Sequence, residues 1–426
     1  MKNAFFETLM NSLVKLISRE KRDTDIEPDD PEFPEPYTEI LEPYNITTKV
    51  YQKEVIDSAN RFAFDLFKPV LSGAGSTENI MISPFSISSA LSMMLNGAKG
   101  ETLKTMKKTL GLERKTLDQI NRTYLKLMTE MIPVDKRIVI EIANSVWVGK
   151  RFILKKPFIR KLQTRYKAEP RNIDVTDPYA VNIVNGWIAE KTHDKITNML
   201  DSLDPELTML LINVIYFNGK WSCPFYEDDT HDEPFYLTPS TPKDVPMMHE
   251  SEHFRVARSD NSTIVELPYG QANYTMVVVL PDENVTAFEV ANALTPSVWQ
   301  NWMNILVNNE QNVDLSMPRF KYKYTRILND DLNRLGMGIA MTTQADFSNI
   351  TDQNIMISGV LHQSFIETNE KGTEAFSISS LPFLTGMGEP PPIVKVILDR
   401  PFLYFIREIS TGTILFMGRV SDPTNN

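Results

Sequence analysis

The chain has 426 residues, of which 42% are apolar and 23% charged, an ordinary balance for a soluble globular protein. One cysteine, Cys223, excludes an internal disulfide framework and zinc sites built from several cysteines, and five histidines leave little material for metal or acid–base clusters. Lysine and arginine number 44 against 55 acidic residues, but nine of the acids lie between Asp23 and Glu42, where no base occurs. Without them 46 acids face 44 bases, so the body is nearly neutral and no nucleic-acid surface is indicated.

Residues 1–22 carry Phe5, Phe6, Leu9, Met10, Leu13, Leu16 and Ile17 at three- and four-residue spacing. This predicts an amphipathic helix or an atypical secretory signal, since Glu7, Asn11 and Lys15 interrupt the apolar centre. Residues 23–50 form an acidic arm with Pro28, Pro31, Pro34, Pro36 and Pro43, a composition that predicts disorder. The arm reads either as a solvated spacer or as an anionic bait for a basic protease surface. A single domain is expected over 51–423. Its helices are predicted at Val55–Leu66, Ser86–Leu95 (after the Ser83-Pro84 start) and Gly100–Leu110. Strands are predicted at Ile138–Val148, Met209–Phe217, Thr263–Leu267, Tyr274–Leu280 and Val313–Met317. Phe402–Ile406 and Ile414–Val420 flank a glycine turn and read as a hairpin. The clustering of elements favours an α+β class, and no apolar run approaches a membrane span.

Catalytic signals are scarce. His249-Glu250-Ser251-Glu252-His253 satisfies H-E-x-x-H, but that pattern binds zinc only on a helix, and the flanking residues read as strand and turn. There is no G-x-S-x-G elbow and no phosphate-binding loop. Cys223, beside Trp221 and before Pro224, reads as a buried structural cysteine. No catalytic residue, metal ligand or cofactor is therefore assigned.

The informative segment is Glu370 to Pro392. It lies between strand signals at Ser364–Ile366 and Ile393–Leu398 and is long for a connection within a compact domain. Its first half alternates: Thr373, Ala375, Ser377 and Ser379 are small, whereas Glu374, Phe376, Ile378 and Ser380 form the other face. Such a stretch can enter a sheet with its small face against a crowded core. The prolines of the second half prevent it from continuing as an interior strand.

From about Tyr51 to Pro423 the sequence resembles the serpin family. The resemblance rests on Asn79-Ile-Met-Ile-Ser-Pro-Phe-Ser-Ile-Ser-Ser-Ala-Leu-Ser-Met, Gly97-Ala-Lys-Gly-Glu-Thr, Asn185-Gly-Trp-Ile, Thr192-His-Asp-Lys-Ile, and Asn213-Val-Ile-Tyr-Phe-Asn-Gly-Lys-Trp221 with Phe225. Val265-Glu-Leu-Pro-Tyr269, Leu335-Gly-Met337, Ala345-Asp-Phe-Ser348, Glu370-Lys-Gly-Thr-Glu-Ala375 and Arg400-Pro-Phe402 continue it in the family's order. Asp194 departs from it, standing where the family has glycine.

The resemblance implies a serpin fold of three β-sheets with eight or nine helices and an exposed reactive-centre loop over about 372–392. It implies a hinge at Glu370, Gly372, Thr373 and Ala375. It implies a polar shutter of Ser83, Ser86, Asn213 and His362, a loop-entry tryptophan at Trp221, and an Arg319–Glu370 charge pair. Counting along the loop as the family does puts the reactive bond at Gly386–Met387, with Leu384 and Thr385 as alternatives. The implied function is suicide-substrate inhibition of a serine protease. The loop is cleaved, the protease is held as a covalent acyl complex, and the cleaved loop enters the central sheet. The absence of lysine and arginine from Gly372 to Pro392 favours elastase-, subtilisin- or chymotrypsin-like targets. Bulky Phe376 and Ile378 depart from the small hinge of inhibitors and keep open a non-inhibitory carrier, storage or chaperone-like protein. A monomer that is not an enzyme, with no cofactor, nucleic acid or membrane span, is expected. Six N-x-[ST] sequons accompany an expected secreted or extracellular location.

Overall fold

A stripe of Val55, Ile56, Phe62, Ala63, Leu66, Phe67 and Val70, all buried, turns the first described helix toward the core. The computed structural model describes residues 45–131, 135, 137–194, 196–372 and 393–425. The described helices are α1 (Val50–Ser72), α2 (Pro84–Met94), α3 (Gly100–Thr109), α4 (Leu117–Glu130), α5 (Lys156–Tyr166), α6 (Ala180–Lys191), α7 (Ala287–Ala293), α8 (Pro296–Leu306) and α9 (Asn329–Leu332). Capping is legible in the sequence: Thr116 and Thr286 each begin a reciprocal capping box, and Pro84, Pro157 and Pro296 occupy first-turn positions.

The described strands are β1 (Ile80–Ile82), β2 (Ile138–Gly149), β3 (Glu169–Ile173), β4 (Met209–Gly219), β5 (His231–Thr238), β6 (Thr241–Arg258) and β7 (Ser262–Tyr269). They continue with β8 (Tyr274–Pro281), β9 (Glu310–Pro318), β10 (Phe320–Ile327), β11 (Gly359–Thr368), β12 (Val394–Ile397), β13 (Phe402–Glu408) and β14 (Ile414–Val420). Five form a sheet in the order β10-β11-β4-β2-β3. The other nine form a second hydrogen-bonded network, β1-β14-β13-β8-β7-β6-β9-β12, with β5 on β6. The α+β class holds, but among the described residues the three expected sheets appear as two networks. The long strand β6 is the reason: it pairs with β9 over Met247–Arg255 and with β7 over Arg255–Arg258, so two sheets share it.

Both faces of the five-stranded sheet are covered. Along β4, Met209, Leu211, Ile215 and Phe217 join the main core. The alternate residues Leu210, Ile212, Val214 and Tyr216 join a second cluster with Val184, Trp187 and Ile188 of α6. The chain leaves α6 through His193 and Asp194 at φ 48° and 58°. The position where the resemblance expects glycine is thus left-handed, a conformation that aspartate tolerates better than most residues.

The globular body begins before residue 51. Ile46 is buried and its N–H donates to Ser410 Oγ over 3.0 Å, so the expected arm ends earlier than Val50. Residues 1–44 lie outside the described residues. No described helix is long and apolar enough to cross a membrane.

Candidate functional site: the central seam and the hinge

Within the five-stranded sheet, β11 is antiparallel to β10 but parallel to β4. The two central strands are in register from Gly359–Leu210 to Phe365–Tyr216. Beyond that pair β11 continues to Thr368 and β4 to Gly219 without pairing to each other, so the seam is open at one end.

A buried polar cluster spans the closed part. Asn213 and His362 are opposite each other across the seam, and His362 Nδ1 lies 2.8 Å from Asn213 Oδ1. His362 Nε2 accepts the backbone N–H of Ser83 over 3.1 Å, which fixes the proton on Nδ1 and makes that atom the donor to Asn213. Asn213 Nδ2 donates to Ser86 Oγ on α2 and, over 2.7 Å, to Asn144 Oδ1 on β2. Ser83 caps α2 by accepting the Ser86 N–H. Burial pushes the His362 imidazole down to about 3, so it is neutral near pH 7. All four expected shutter residues are therefore in one network, together with Asn144, while buried Ser364 separately donates to the Met81 carbonyl over 2.8 Å.

The open end holds the hinge. Glu370 is buried; its Oε1 accepts from Arg319 Nε over 2.5 Å and from Thr230 Oγ1 over 2.5 Å. Arg319 is half-exposed, so only the carboxylate side of this ion pair is withdrawn from water. Trp221 stacks on Tyr269 with ring centroids 4.3 Å apart and donates its Nε1–H to the Asn369 carbonyl over 2.9 Å. The Phe225 N–H donates to the Glu370 carbonyl over 2.9 Å, and Lys371 pairs with Glu227 over 2.8 Å. That lysine holds the Glu227 carboxyl below its ordinary range.

Gly372 closes the described hinge at φ +86°. A β-carbon there would run into the backbone of Gly219, Lys220 and Trp221, so both conformation and space require glycine. Thr373, Ala375, Leu384, Thr385, Gly386 and Met387 lie outside the described residues. The chain is described again from Ile393, and β12 pairs in parallel with β9 in the other sheet. The segment 373–392 thus connects the open end of one sheet to an edge strand of the other.

Two sequence candidates resolve differently. His249 and His253 lie on strand β6, four residues apart along an extended chain, about 13 Å, so H-E-x-x-H does not form a helical zinc site. Cys223 is only partly buried; burial, then the charges of Glu252 and Glu250, push its thiol up to about 11, which keeps it protonated. Thr230 was not legible as a hinge residue: nothing local in its sequence announces a bond to a glutamate 140 positions away.

Comparisons with known proteins agree with this geometry. The family model described as Serpin (serine protease inhibitor) matches residues 57–423. Iripin-5 of Ixodes ricinus is 34% identical over 381 residues, covering 87% of this chain and 95% of the relative. The human leukocyte elastase inhibitor is 33% identical over 385 residues, covering 87% of this chain and all of the relative. The crystal structure of human thyroxine-binding globulin superposes with a TM-score of 0.81 at 28% identity, covering 88% of this chain and all of that one. A family match across nearly the whole described body, on a sheet with this seam and hinge, establishes that the chain belongs to the serpin family.

Proposed function

We propose that this serpin inhibits serine proteases of elastase-, subtilisin- or chymotrypsin-like specificity, acting as a suicide substrate rather than as a catalyst. The carrying observation is the parallel β4–β11 seam, open at the end where the hinge leaves β11. A strand that follows β11 and folds back into the seam runs antiparallel to both neighbours. One parallel ladder is then replaced by two antiparallel ones, which are slightly more stable per residue. The residues that would form it, from Thr373, alternate small and large and suit a strand.

In this reading the protease serine attacks the Gly386 carbonyl, the bond to Met387 breaks, and the Met387 amine leaves with the proton passed on by the protease. The ester on Gly386 is the bond that water must cleave for turnover. Insertion before that hydrolysis carries the acylated protease away from the hinge and strands the ester, a kinetic trap driven by the folding energy released. The similarity to leukocyte elastase inhibitor and the lack of basic residues in 372–392 support apolar specificity.

A second reading, a non-inhibitory carrier, is favoured by a cavity of about 1100 Å³ lined in part by Leu71, Tyr236, Leu237, Phe288 and Arg400, and by the likeness to thyroxine-binding globulin. Incubation with pancreatic elastase, subtilisin and chymotrypsin separates the two. A complex that survives denaturing electrophoresis, with release of a peptide beginning at Met387, is the expected result. Cleavage without complex, and without a rise in melting temperature, overturns inhibition by insertion.

A further inference from the structure

His249 lost its helical partner but gained another set of neighbours. His231 and Glu233, two residues apart on β5, share a face of that strand. The β5–β6 register sets His231 opposite Met247, which places His249 on the diagonal from His231 and on the same face. One ligand atom from each of the three side chains lies within 4.8 Å of the other two. Glu233 Oε1 is 2.9 Å from His231 Nε2 and 3.2 Å from His249 Nε2, and the two rings are stacked at 4.6 Å.

The far side of each ring is already held. His231 Nδ1 lies 3.0 Å from the Asp229 carbonyl oxygen, which can only accept, so the neutral ring carries its proton there. His249 Nδ1 lies 3.1 Å from Ser316 Oγ on β9. Ser316 can accept from His249 Nδ1 just as the Asp229 carbonyl accepts from His231 Nδ1, and with both rings held in that way both Nε2 lone pairs face one carboxylate oxygen. His249 Nε2 is shielded from solvent, and although Glu233 Oε1 lies 3.2 Å away the pair is not aligned as a hydrogen bond. A carboxylate oxygen facing two imidazole Nε2 atoms is satisfied by a proton on a ring or by a cation held between the three groups, and an imidazole held through Nδ1 with Nε2 turned to a shared centre is the usual form of a metal-ligating histidine.

We propose that His231, Glu233 and His249 bind one divalent cation of the zinc class, with its remaining position open. Two imidazole nitrogens and one carboxylate oxygen suit zinc, cobalt, nickel or copper; calcium and magnesium prefer all-oxygen sites. Closing the set onto an ion requires only a small movement, and His231 is exposed and has room to make it. The site lies between the two anchors of segment 373–392. Thr230, beside His231, donates to Glu370, and Ser316, opposite His249, also pairs with Ile397 of β12.

The test is titration of the full chain, free of any polyhistidine tag, with Co²⁺ by visible absorption and with Zn²⁺ by calorimetry. One ion per chain is expected, with affinity at least tenfold weaker in His231→Ala and Glu233→Gln and unchanged in His253→Ala. His231 is exposed, so its loss is expected to leave the fold intact, which circular dichroism checks. No saturable binding by the wild-type chain, or equal binding by His231→Ala, overturns the proposal and leaves a proton-bridged cluster instead.

Discussion

His362 donates to Asn213 over 2.8 Å straight across the central parallel seam, so a strand that passes between β4 and β11 at this level has to break the bond. Both partners are buried, so the bond cannot be exchanged for water while the sheet is closed. Asn213→Ala leaves the His362 N–H, the Ser86 hydroxyl and the Asn144 amide oxygen without their partner. The expected cost is about 2–4 kcal/mol, from buried groups left unsatisfied at about 1–3 kcal/mol each with partial relaxation. Urea unfolding reads the loss, and uptake of a synthetic peptide of sequence 370–386 reads the easier opening. A variant that unfolds earlier but takes up peptide no faster would mean the cluster stabilises the fold without latching the seam.

The same histidine makes stability depend on pH. Its folded value is pushed down to about 3, below the ordinary histidine value of about 6.5. The unfolded chain therefore takes up a proton near pH 6.5 while the native chain stays neutral. Stability is full above that pH and falls as pH drops toward 3, by up to about 1.4 kcal/mol per pH unit and about 2 kcal/mol by pH 5. Glu250 acts in the opposite sense. Burial, then the charge of Glu252, push its carboxyl up to about 7, so its contribution is largest at low pH and is lost as pH rises through that value. The two windows overlap, and only a difference isolates the histidine. The stability gap between wild type and His362→Gln, from urea midpoints at stepped pH, is expected to shift against the wild type between pH 7 and pH 5. Parallel curves would assign the acid sensitivity elsewhere.

The helices and strands expected within 51–423 occur where residues are described, because each carried a local signal, a proline start, a β-branched run or a glycine turn; the helix expected in 1–22 lies outside the described residues. Strand β6 carried only a mixed signal. The residues flanking His249–His253 read as strand and turn, yet β6 is one long strand, Pro242 and Pro246 included, with β5 and β9 paired along it. Prolines in a strand are tolerated where the missing donor faces no partner, a fact of pairing that composition does not carry. The shutter was legible only through resemblance, since Ser83, Asn213 and His362 are far apart in sequence and are joined by tertiary bonds. Asn121 and Asn273 illustrate the converse: both satisfy the glycosylation pattern, and both are buried. A three-residue motif encodes no burial.

Glu370 and Arg319 form an ion pair from unequal positions, one buried and one half in water. Removing the arginine leaves a buried carboxylate with Thr230 as its remaining side-chain donor. Solvent reaching Arg319 discounts the loss to about 1–2 kcal/mol, below that of a fully buried charged bond. Glu370→Gln removes the charge as well as the pair and is expected to cost less than Arg319→Ala. Thermal unfolding ranks the two. The reverse order would show that the pair is screened and that the glutamate matters through Thr230 alone.

The alternation in segment 373–392 makes the final prediction directional. If the cleaved loop enters the seam, one of its faces meets the main core beneath β4 and β11, where Leu211, Ile215 and Phe217 already lie, and the other meets the smaller cluster that ends at Tyr216 and Phe365. The small residues Thr373, Ala375, Ser377 and Ser379 are the ones that fit against the main core, and Glu374 on the other face already carries a charge. Burying an unpaired charge costs several kcal/mol even after relaxation. Ser377→Arg is therefore expected to leave cleavage by subtilisin or elastase intact, abolish the denaturant-resistant complex and cancel the rise in melting temperature after cleavage. Glu374→Arg, one face away, is expected to keep all three. Loss of the complex in both variants would place both faces in contact with the core and remove the basis for reading the alternation as a strand. Its retention in both would mean that trapping does not require this part of the loop to enter the sheet.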